Sequence, residues 1–311
     1  MREPVEAEPS TVSALEVLAI FGPTAVGKTG VAIAVAELLR RRGEDPVAVN
    51  CDSIQIYAGL GVISGAASPE ERARLEHRLL GIVTVDGEFS AGRFANLAHS
   101  EIDSLIAAGR RPIVVGGTGL YLRAALSDLE LRPPVPPAIR EAVERGIAER
   151  GPEELHAELD PDIAATVHPH DRKRVARSLE LQRAGVNPPT GSEGLWTAAL
   201  RHPALLVGLT MKRDELANRI DARVEAMAAA GAAQEAERAS EAGASRTARA
   251  ALGFEEFLAG DVDAVKRAHR AYARRQLTWM RKMPGVSLID RTGLTDDVVA
   301  ARIVELLDEG R

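Results

Sequence analysis

Eight consecutive residues, Gly22-Pro23-Thr24-Ala25-Val26-Gly27-Lys28-Thr29, fit the pattern G-x4-G-K-[ST]. Glycines let the backbone curl so that successive N–H groups point inward, and such a cradle leading into a helix N-terminus favours an anion. Lys28 adds a point charge, and the Thr29 hydroxyl can hold Mg2+. The pattern indicates a phosphate on the ligand but not which phosphate compound. Ordinary P-loop nucleotide hydrolases add an Asp at the end of a later strand to help hold Mg2+. Here the run Pro112–Val115 ends in Gly116-Gly117, and the well-placed acid is Asp52, directly after the run Pro46–Cys51. An acid beside a bound diphosphate, without the usual metal-holding Asp, suggests a base acting on an acceptor. Asp52 as a helix cap or Mg2+ ligand is the alternative. Thr118, in the Gly-Gly-Thr-Gly turn, is a further site candidate, or else the cap of the helix that follows.

These residues meet only if a fold brings their loops to one edge. Glu16–Phe21 (EVLAIF), Pro46–Cys51 (PVAVNC) and Pro112–Val115 (PIVV) are short apolar runs that predict strands, while Lys28–Arg42 and Ala91–Ala108 predict helices. This alternation predicts a parallel sheet covered on both faces. In such sheets the loops at the C-terminal strand ends meet the ligand. Arg132–Pro137 (RPPVPP) reads as a stiff connector. Ala138–Gly185 then reads as helices only, with breaks near Gly151-Pro152 and Asp160-Pro161, and Asn187–Gly194 as a loop. Leu205–Leu209 (LLVGL) returns to strand character and Lys212–Met283 to helix. The expected fold class is α/β. A P-loop core of residues 15–131 and 197–311, with a parallel sheet flanked by helices, is interrupted by a helical insertion over 132–196. Residues 1–14 are expected to be a loose tail.

The chain has 311 residues, 45% of them hydrophobic and 27% charged, which predicts an ordinary soluble globular protein. A single cysteine, Cys51, allows neither an intrachain disulfide nor a Cys cluster for zinc, and fits a reducing cytoplasm. No apolar run approaches the roughly 18 residues of a membrane span. Met1–Ser13 is acidic and polar, unlike a signal or transit peptide. A cytoplasmic monomer with no membrane partner is expected. The net charge of −6 argues against a polyanionic partner when taken alone. Its distribution argues otherwise. Ala264–Ile289 holds no acidic residue, but contains Lys266, Arg267, Arg270, Arg274, Arg275, Arg281 and Lys282. A second basic run is Arg172, Lys173, Arg174 and Arg177. One such run is ordinarily a solvated helix face; two suggest nucleic acid. His77, His99 and His168 lack metal-ligand spacing.

In order along the chain, these residues resemble the tRNA dimethylallyltransferase (tRNA isopentenyltransferase) family. Gly22–Thr29 is similar to its GPTA-x-GKT loop, and Asp52–Tyr57 (DSIQIY) to its DS-x-Q-[VI]-Y segment. Val115–Tyr121 (VGGTGLY) is similar to V-G-G-T-x-x-Y, and Lys173–Arg177 to a basic insertion-helix segment. Leu252–Glu255 (LGFE) is similar to [IL]-G-[YF]-x-E, and Arg274–Arg281 (RRQLTWMR) to [KR]-R-Q-x-T-W-x-R. After Tyr57 the family usually reads G-x-D-I-G-T-x-K-P, whereas Gly59–Pro69 here (GLGVISGAASP) lacks the lysine. The family's H-x-L-I-D is His77–Gly81 (HRLLG), without the Asp. No zinc finger follows, as in the shorter, bacterial-type members.

The resemblance implies transfer of a dimethylallyl group from dimethylallyl diphosphate to N6 of adenosine 37, beside the anticodon of tRNA, with release of diphosphate. Asp52 would take the N6 proton, with Thr118 near the reacting centre. Gly22–Thr29 would bind the diphosphate, with Lys28, Thr29, Mg2+ and Arg223 stabilising its departing charge. Arg219 is the alternative arginine. The adenine must leave its stack to react. Ser53, Ile54 and Gln55, beside Asp52, would read the extruded base, with Phe254, Tyr272 and Trp279 available to stack. Arg140, Lys173, Arg174, Arg177, Gly253, Arg274, Arg275, Gln276 and Arg281 complete the expected contacts to the tRNA anticodon stem-loop. Three other readings share parts of this pattern: a small-molecule P-loop kinase, a prenyltransferase acting on free adenine nucleotides, and a non-catalytic RNA-binding protein.

Overall fold

In the computed structural model, which describes residues 15–129, 131–132, 134–186 and 198–310, the apolar run Val17–Phe21 forms β1 with all five residues buried. The expected tail and the Asn187–Gly194 loop lie outside the described residues. The glycine-rich loop leads into α1 (Lys28–Arg41), then β2 (Pro46–Asn50), α2 (Gly61–Ser64), α3 (Pro69–Arg74) and β3 (His77–Arg78). Next come α4 (Ala91–Ala107), β4 (Arg111–Gly116) and α5 (Gly119–Leu126).

Leu129–Thr197 is a compact unit of its own. It contains α6 (Pro137–Arg150), α7 (Pro152–His156), α8 (Pro161–Ala164) and α9 (Arg172–Arg183). Pro137, Pro152 and Pro161 each sit in a first helical turn, where the missing N–H costs nothing. The Asp171 carboxylate caps α9 by accepting the Arg174 N–H at 3.1 Å. Val143, Ile147, Leu155, Leu159, Val175 and Leu179 form this unit's own core.

The chain then returns to the first unit with β5 (Ala204–Thr210), α10 (Arg213–Ala229), α11 (Ala232–Glu241), α12 (Arg246–Arg249), α13 (Phe254–Leu258) and α14 (Val262–Met280). It ends with β6 (Val286–Asp290) and α15 (Asp296–Glu309). The single helical stretch expected over Lys212–Met283 is thus five helices. Gly231, Gly243, Gly253 and Gly260, all at positive φ, lie at the breaks. Five elements lie outside the sequence expectations, among them the short helices α2 and α3. β3 is a two-residue edge strand; β6 and α15 follow the last basic helix. Thr295 ahead of Asp296-Asp297 is the start signal for α15, and its hydroxyl accepts the Val298 N–H.

The sheet is entirely parallel, in the order β3-β2-β4-β1-β5-β6. Its register pairs Asn50 with Val115, and Phe21 with both Gly116 and Gly208. The C-terminal ends of β2, β4 and β1 therefore lie side by side, and the loops carrying Asp52, Thr118 and Gly22–Thr29 emerge together. No helix among the described residues is long and apolar enough to cross a membrane.

Candidate active site

The loop after β1 is shaped by two left-handed residues, Ala25 (φ 62) and Gly27 (φ 90). The Lys28 ammonium folds back across it, donating to the Gly22 carbonyl at 3.1 Å and the Pro23 carbonyl at 3.0 Å. Burial, and then the neighbouring Arg223 guanidinium, push the Lys28 pKa down to about 8, with Asp52 pulling the other way.

Asp52 is set by its neighbours. The Asn50 side-chain oxygen accepts the Asp52 N–H at 3.0 Å, and the Asn50 amide donates to the Leu79 carbonyl at 3.0 Å. One carboxylate oxygen of Asp52 accepts the Ile54 N–H at 2.9 Å and the Gln55 N–H at 3.4 Å. This is a turn, not a helix cap. Thr118 occupies the N-cap position of α5, yet its side chain makes no capping bond. Its hydroxyl instead lies 3.5 Å from the Ser53 hydroxyl and 3.4 Å from the Tyr272 hydroxyl, and accepts the Ser53 N–H at 3.4 Å. Burial and the Asp52 charge push the Tyr272 pKa up to about 12. The structure thus joins the Asp52 loop, the Gly-Gly-Thr turn and α14 at Thr118.

The glycines of that turn are explained by close approach. A Cβ at Gly117 or Gly119 would strike the Gln276 amide or the Trp279 indole. Gln276, expected at the RNA, is buried and committed elsewhere. Its oxygen accepts the Thr24 N–H and its nitrogen donates to the Gly117 carbonyl, both at 2.8 Å. It therefore ties the phosphate loop to the turn. Trp279, Tyr272, Met280, Leu122 and Phe21 line a pocket of about 180 Å3 beside Gly22 and Thr118.

Arg223, from α10, is half-buried; desolvation of its guanidinium lowers its pKa, with Asp52 and Glu71 opposing. It donates to the Ser64 and Gly65 carbonyls at 3.4 and 3.2 Å. The Gln55 amide reaches the same two oxygens at 3.4 Å. These carbonyls lie within Gly59–Pro69, the stretch that departs from the family pattern. Sequence reasoning missed how the stretch is anchored: the Glu235 carboxylate accepts the Val62 N–H at 3.0 Å and the Ile63 N–H at 2.7 Å. Arg219 lies one turn earlier on α10, and its guanidinium approaches Gly27.

The expected RNA contacts divide. Phe254 is fully buried, so it is core and not free to stack on a base; Gly253 is the turn residue before it, at φ 92. On α14, Lys266, Arg267 and Arg270 pair with Glu225, Asp261 and Asp221. Arg274, Arg275 and Arg281 are exposed, and no carboxylate among the described residues pairs with them. The Arg275 guanidinium lies over the Tyr272 ring, 5.5 Å from its centroid. In the helical unit, Lys173 and Arg174 are exposed, with Arg174 3.4 Å from Asp171. Arg177 pairs with the buried Glu180 at 3.0 Å, and Arg140 lies 3.9 Å from it.

Residues 55–283 match the family described as IPP transferase. The chain is 42% identical over 285 residues to a tRNA dimethylallyltransferase of Anaeromyxobacter dehalogenans, covering 88% of this chain and 94% of the relative. It is 38% identical over 284 residues to a tRNA dimethylallyltransferase of Thermobifida fusca, covering 87% and 88%. The crystal structure of full-length tRNA isopentenylpyrophosphate transferase from Bacillus halodurans superimposes with a TM-score of 0.68 at 30% identity, covering 95% of this chain and 97% of that one.

Proposed function

This chain belongs to the IPP transferase family, and we propose on that premise that it is a tRNA dimethylallyltransferase that alkylates N6 of adenosine 37. The observation that carries this reading is the convergence of Asp52, Thr118 and the phosphate loop at the ends of three adjacent strands. In the reaction, N6 forms a bond to C1 of the dimethylallyl group while C1–O breaks and its electron pair leaves with diphosphate. Asp52 accepts the N6 proton. Backbone N–H groups of Gly22–Thr29, other than those of Thr24 and Val26, which donate to Gln276 and to the Pro23 carbonyl, bind the departing diphosphate with Lys28 and Arg223; two desolvated cations beside the loop suit an anion of high charge.

The donor set also suits Mg2+. Among the described residues no three His, Cys, Asp or Glu side chains gather to cage a metal, and Mg2+ is ordinarily held by few protein groups together with substrate phosphates and water. Thr29 would hold it, and when bound it would neutralise diphosphate charge. The apolar pocket under Trp279 and Tyr272 is open to the C5 group, and exposed Arg274, Arg275 and Arg281 are open to the RNA backbone. A kinase reading is disfavoured because β4 ends in glycine where a metal-holding Asp would stand.

Incubating the protein with Mg2+, dimethylallyl diphosphate and unmodified tRNA carrying adenosines at positions 36 to 38 tests the reading. Mass spectrometry of the digest is expected to show one C5H8 unit added at position 37. ATP hydrolysis with no such product would favour the kinase.

The Lys28 pKa gives a pH dependence. Below about pH 8 Lys28 is charged and ready for the diphosphate; above it the free protein loses that proton and must regain it to bind. The affinity for dimethylallyl diphosphate is expected to fall above pH 8, by close to tenfold per pH unit. Lys28→Met should bind weakly and without that fall. Calorimetric titration at several pH values checks both.

A further inference from the structure

We propose that Arg291, outside the matched residues 55–283 and outside every motif described above, is a positioning residue for the phosphate loop. It holds the Val26–Gly27 peptide from behind so that the peptide's N–H faces the diphosphate. This rests on the reading of Gly22–Thr29 as the diphosphate site.

Arg291 is the first residue after β6, and it is buried. Its Nη1 donates to the Val26 carbonyl at 2.8 Å and to the Gly27 carbonyl at 3.3 Å. Its Nη2 donates to the Leu294 carbonyl at 3.3 Å and pairs with the Asp296 carboxylate at 2.9 Å. The main chain is fixed as well. The Arg291 N–H donates to the Thr210 carbonyl at 3.0 Å, and the Arg291 carbonyl accepts the Leu294 N–H at 2.9 Å. The guanidinium is thus locked between the end of β5 and the start of α15, pressed against the loop. A Cβ at Gly27 would run into it.

The loop needs this constraint because of what makes it a cradle. Gly27 sits at φ 90, a region glycine enters freely and other residues rarely do. A glycine peptide can also turn over, and a turned Val26–Gly27 peptide would aim its carbonyl oxygen at the anion instead of its N–H. In a trans peptide the C=O and N–H point to opposite sides. Holding the Val26 oxygen on the guanidinium therefore directs the Gly27 N–H to the other face of the loop, where the ligand lies. The Gly27 carbonyl also accepts the Val31 N–H at 3.2 Å, the first hydrogen bond of α1. Arg291 therefore aligns the loop with the helix that follows it. It touches no substrate and acts through backbone alone.

The test uses the full chain and titrates Mg2+ with inorganic diphosphate into wild type, Arg291→Met, Arg291→Lys, Asp296→Asn and Lys28→Met. Arg42→Gln is the control, because Arg42 joins α1 to α15 only through the surface pair with Asp308. Arg291→Met is expected to bind diphosphate about 10- to 100-fold more weakly, as losing alignment of a donor to a charged group implies. KM for dimethylallyl diphosphate should rise in step, with stem-loop affinity and saturated turnover little changed. Arg291→Lys should recover part of the loss, and Arg42→Gln should match wild type. If Arg291→Met does not fold, Asp296→Asn, which keeps the guanidinium but frees one end, should still weaken diphosphate binding several-fold. A folded Arg291→Met with wild-type diphosphate affinity, while Lys28→Met is impaired, overturns the proposal and leaves the phosphate-loop reading standing. Equal losses of diphosphate and stem-loop affinity would overturn it too, by showing a general structural role. If Lys28→Met also binds diphosphate normally, the phosphate-loop reading itself fails.

Discussion

Asp52→Asn should lower the single-turnover rate of prenyl transfer by about 10²–10⁴-fold, the usual contribution of a positioned proton acceptor, while the anticodon stem-loop still binds. Asparagine is the informative replacement. Its side-chain oxygen can go on accepting the Ile54 and Gln55 N–H groups, so the turn and the Ser53–Thr118 contact survive. What disappears is the charge and the basicity. If Asp52 merely held the turn, Asp52→Asn would react at nearly the wild-type rate and only Asp52→Ala would fail. If it served as a Mg2+ ligand, a large excess of Mg2+ would restore much of the Asn variant's activity. A loss that Mg2+ does not repair, with RNA still bound, leaves proton transfer as its role. Near-wild-type turnover would end the base assignment.

What could be read from the chain tracks how local its causes are. The phosphate loop was legible because strand, glycines, Lys28, Thr29 and helix occupy one continuous stretch. The central strands were legible because parallel strands buried on both faces are unbroken apolar runs. β3 was not, because two residues at a sheet edge leave no pattern. β6 has one buried residue among its five, so its run carries little of that signature. The roles of Gln276, Glu235 and Arg291 are long-range. Each acts on a backbone group far away in sequence, as Gln276 does on Thr24, and no spacing rule connects them. Gln276 and Phe254 were placed at the RNA because they lie inside motifs that resemble RNA-contacting segments. Burial puts Phe254 in the core, and the Gln276 amide, which lines the pocket, is taken up by Thr24 and Gly117. Basic character misled in the same way on α14, where Asp221, Asp261 and Glu225, from outside the run, take up three of its cations.

Spacing does not choose between Arg223 and Arg219, since residues four apart share a helix face and the Arg219 guanidinium also approaches the phosphate loop at Gly27; substitution separates them. Arg223→Met should move two quantities in opposite directions. This guanidinium is half-buried, its buried Nε has no partner, and its contacts to the Ser64 and Gly65 carbonyls are long. It also lies close enough to Lys28 to depress that ammonium's pKa. A methionine of similar length would remove this cost, and replacing desolvated charge by apolar packing ranges from neutral to stabilising, by about 1 kcal/mol or more in the stabilising cases. For a chain of this size that is a rise in Tm of a few degrees. The same change should raise KM for dimethylallyl diphosphate steeply. Truncating one side of a buried charge pair costs about 2–5 kcal/mol, or roughly 30- to several-thousand-fold in affinity. Saturating diphosphate should then invert the order of melting temperatures, because only the wild type gains stability from the ligand, by about 2.7 kcal/mol at a hundred times Kd. Arg219→Met should show neither the initial rise nor the full loss. A lower Tm with unchanged KM in Arg223→Met would mean that the side chain serves α2 through its two carbonyls. The diphosphate would then depend on Lys28 and the backbone of the loop.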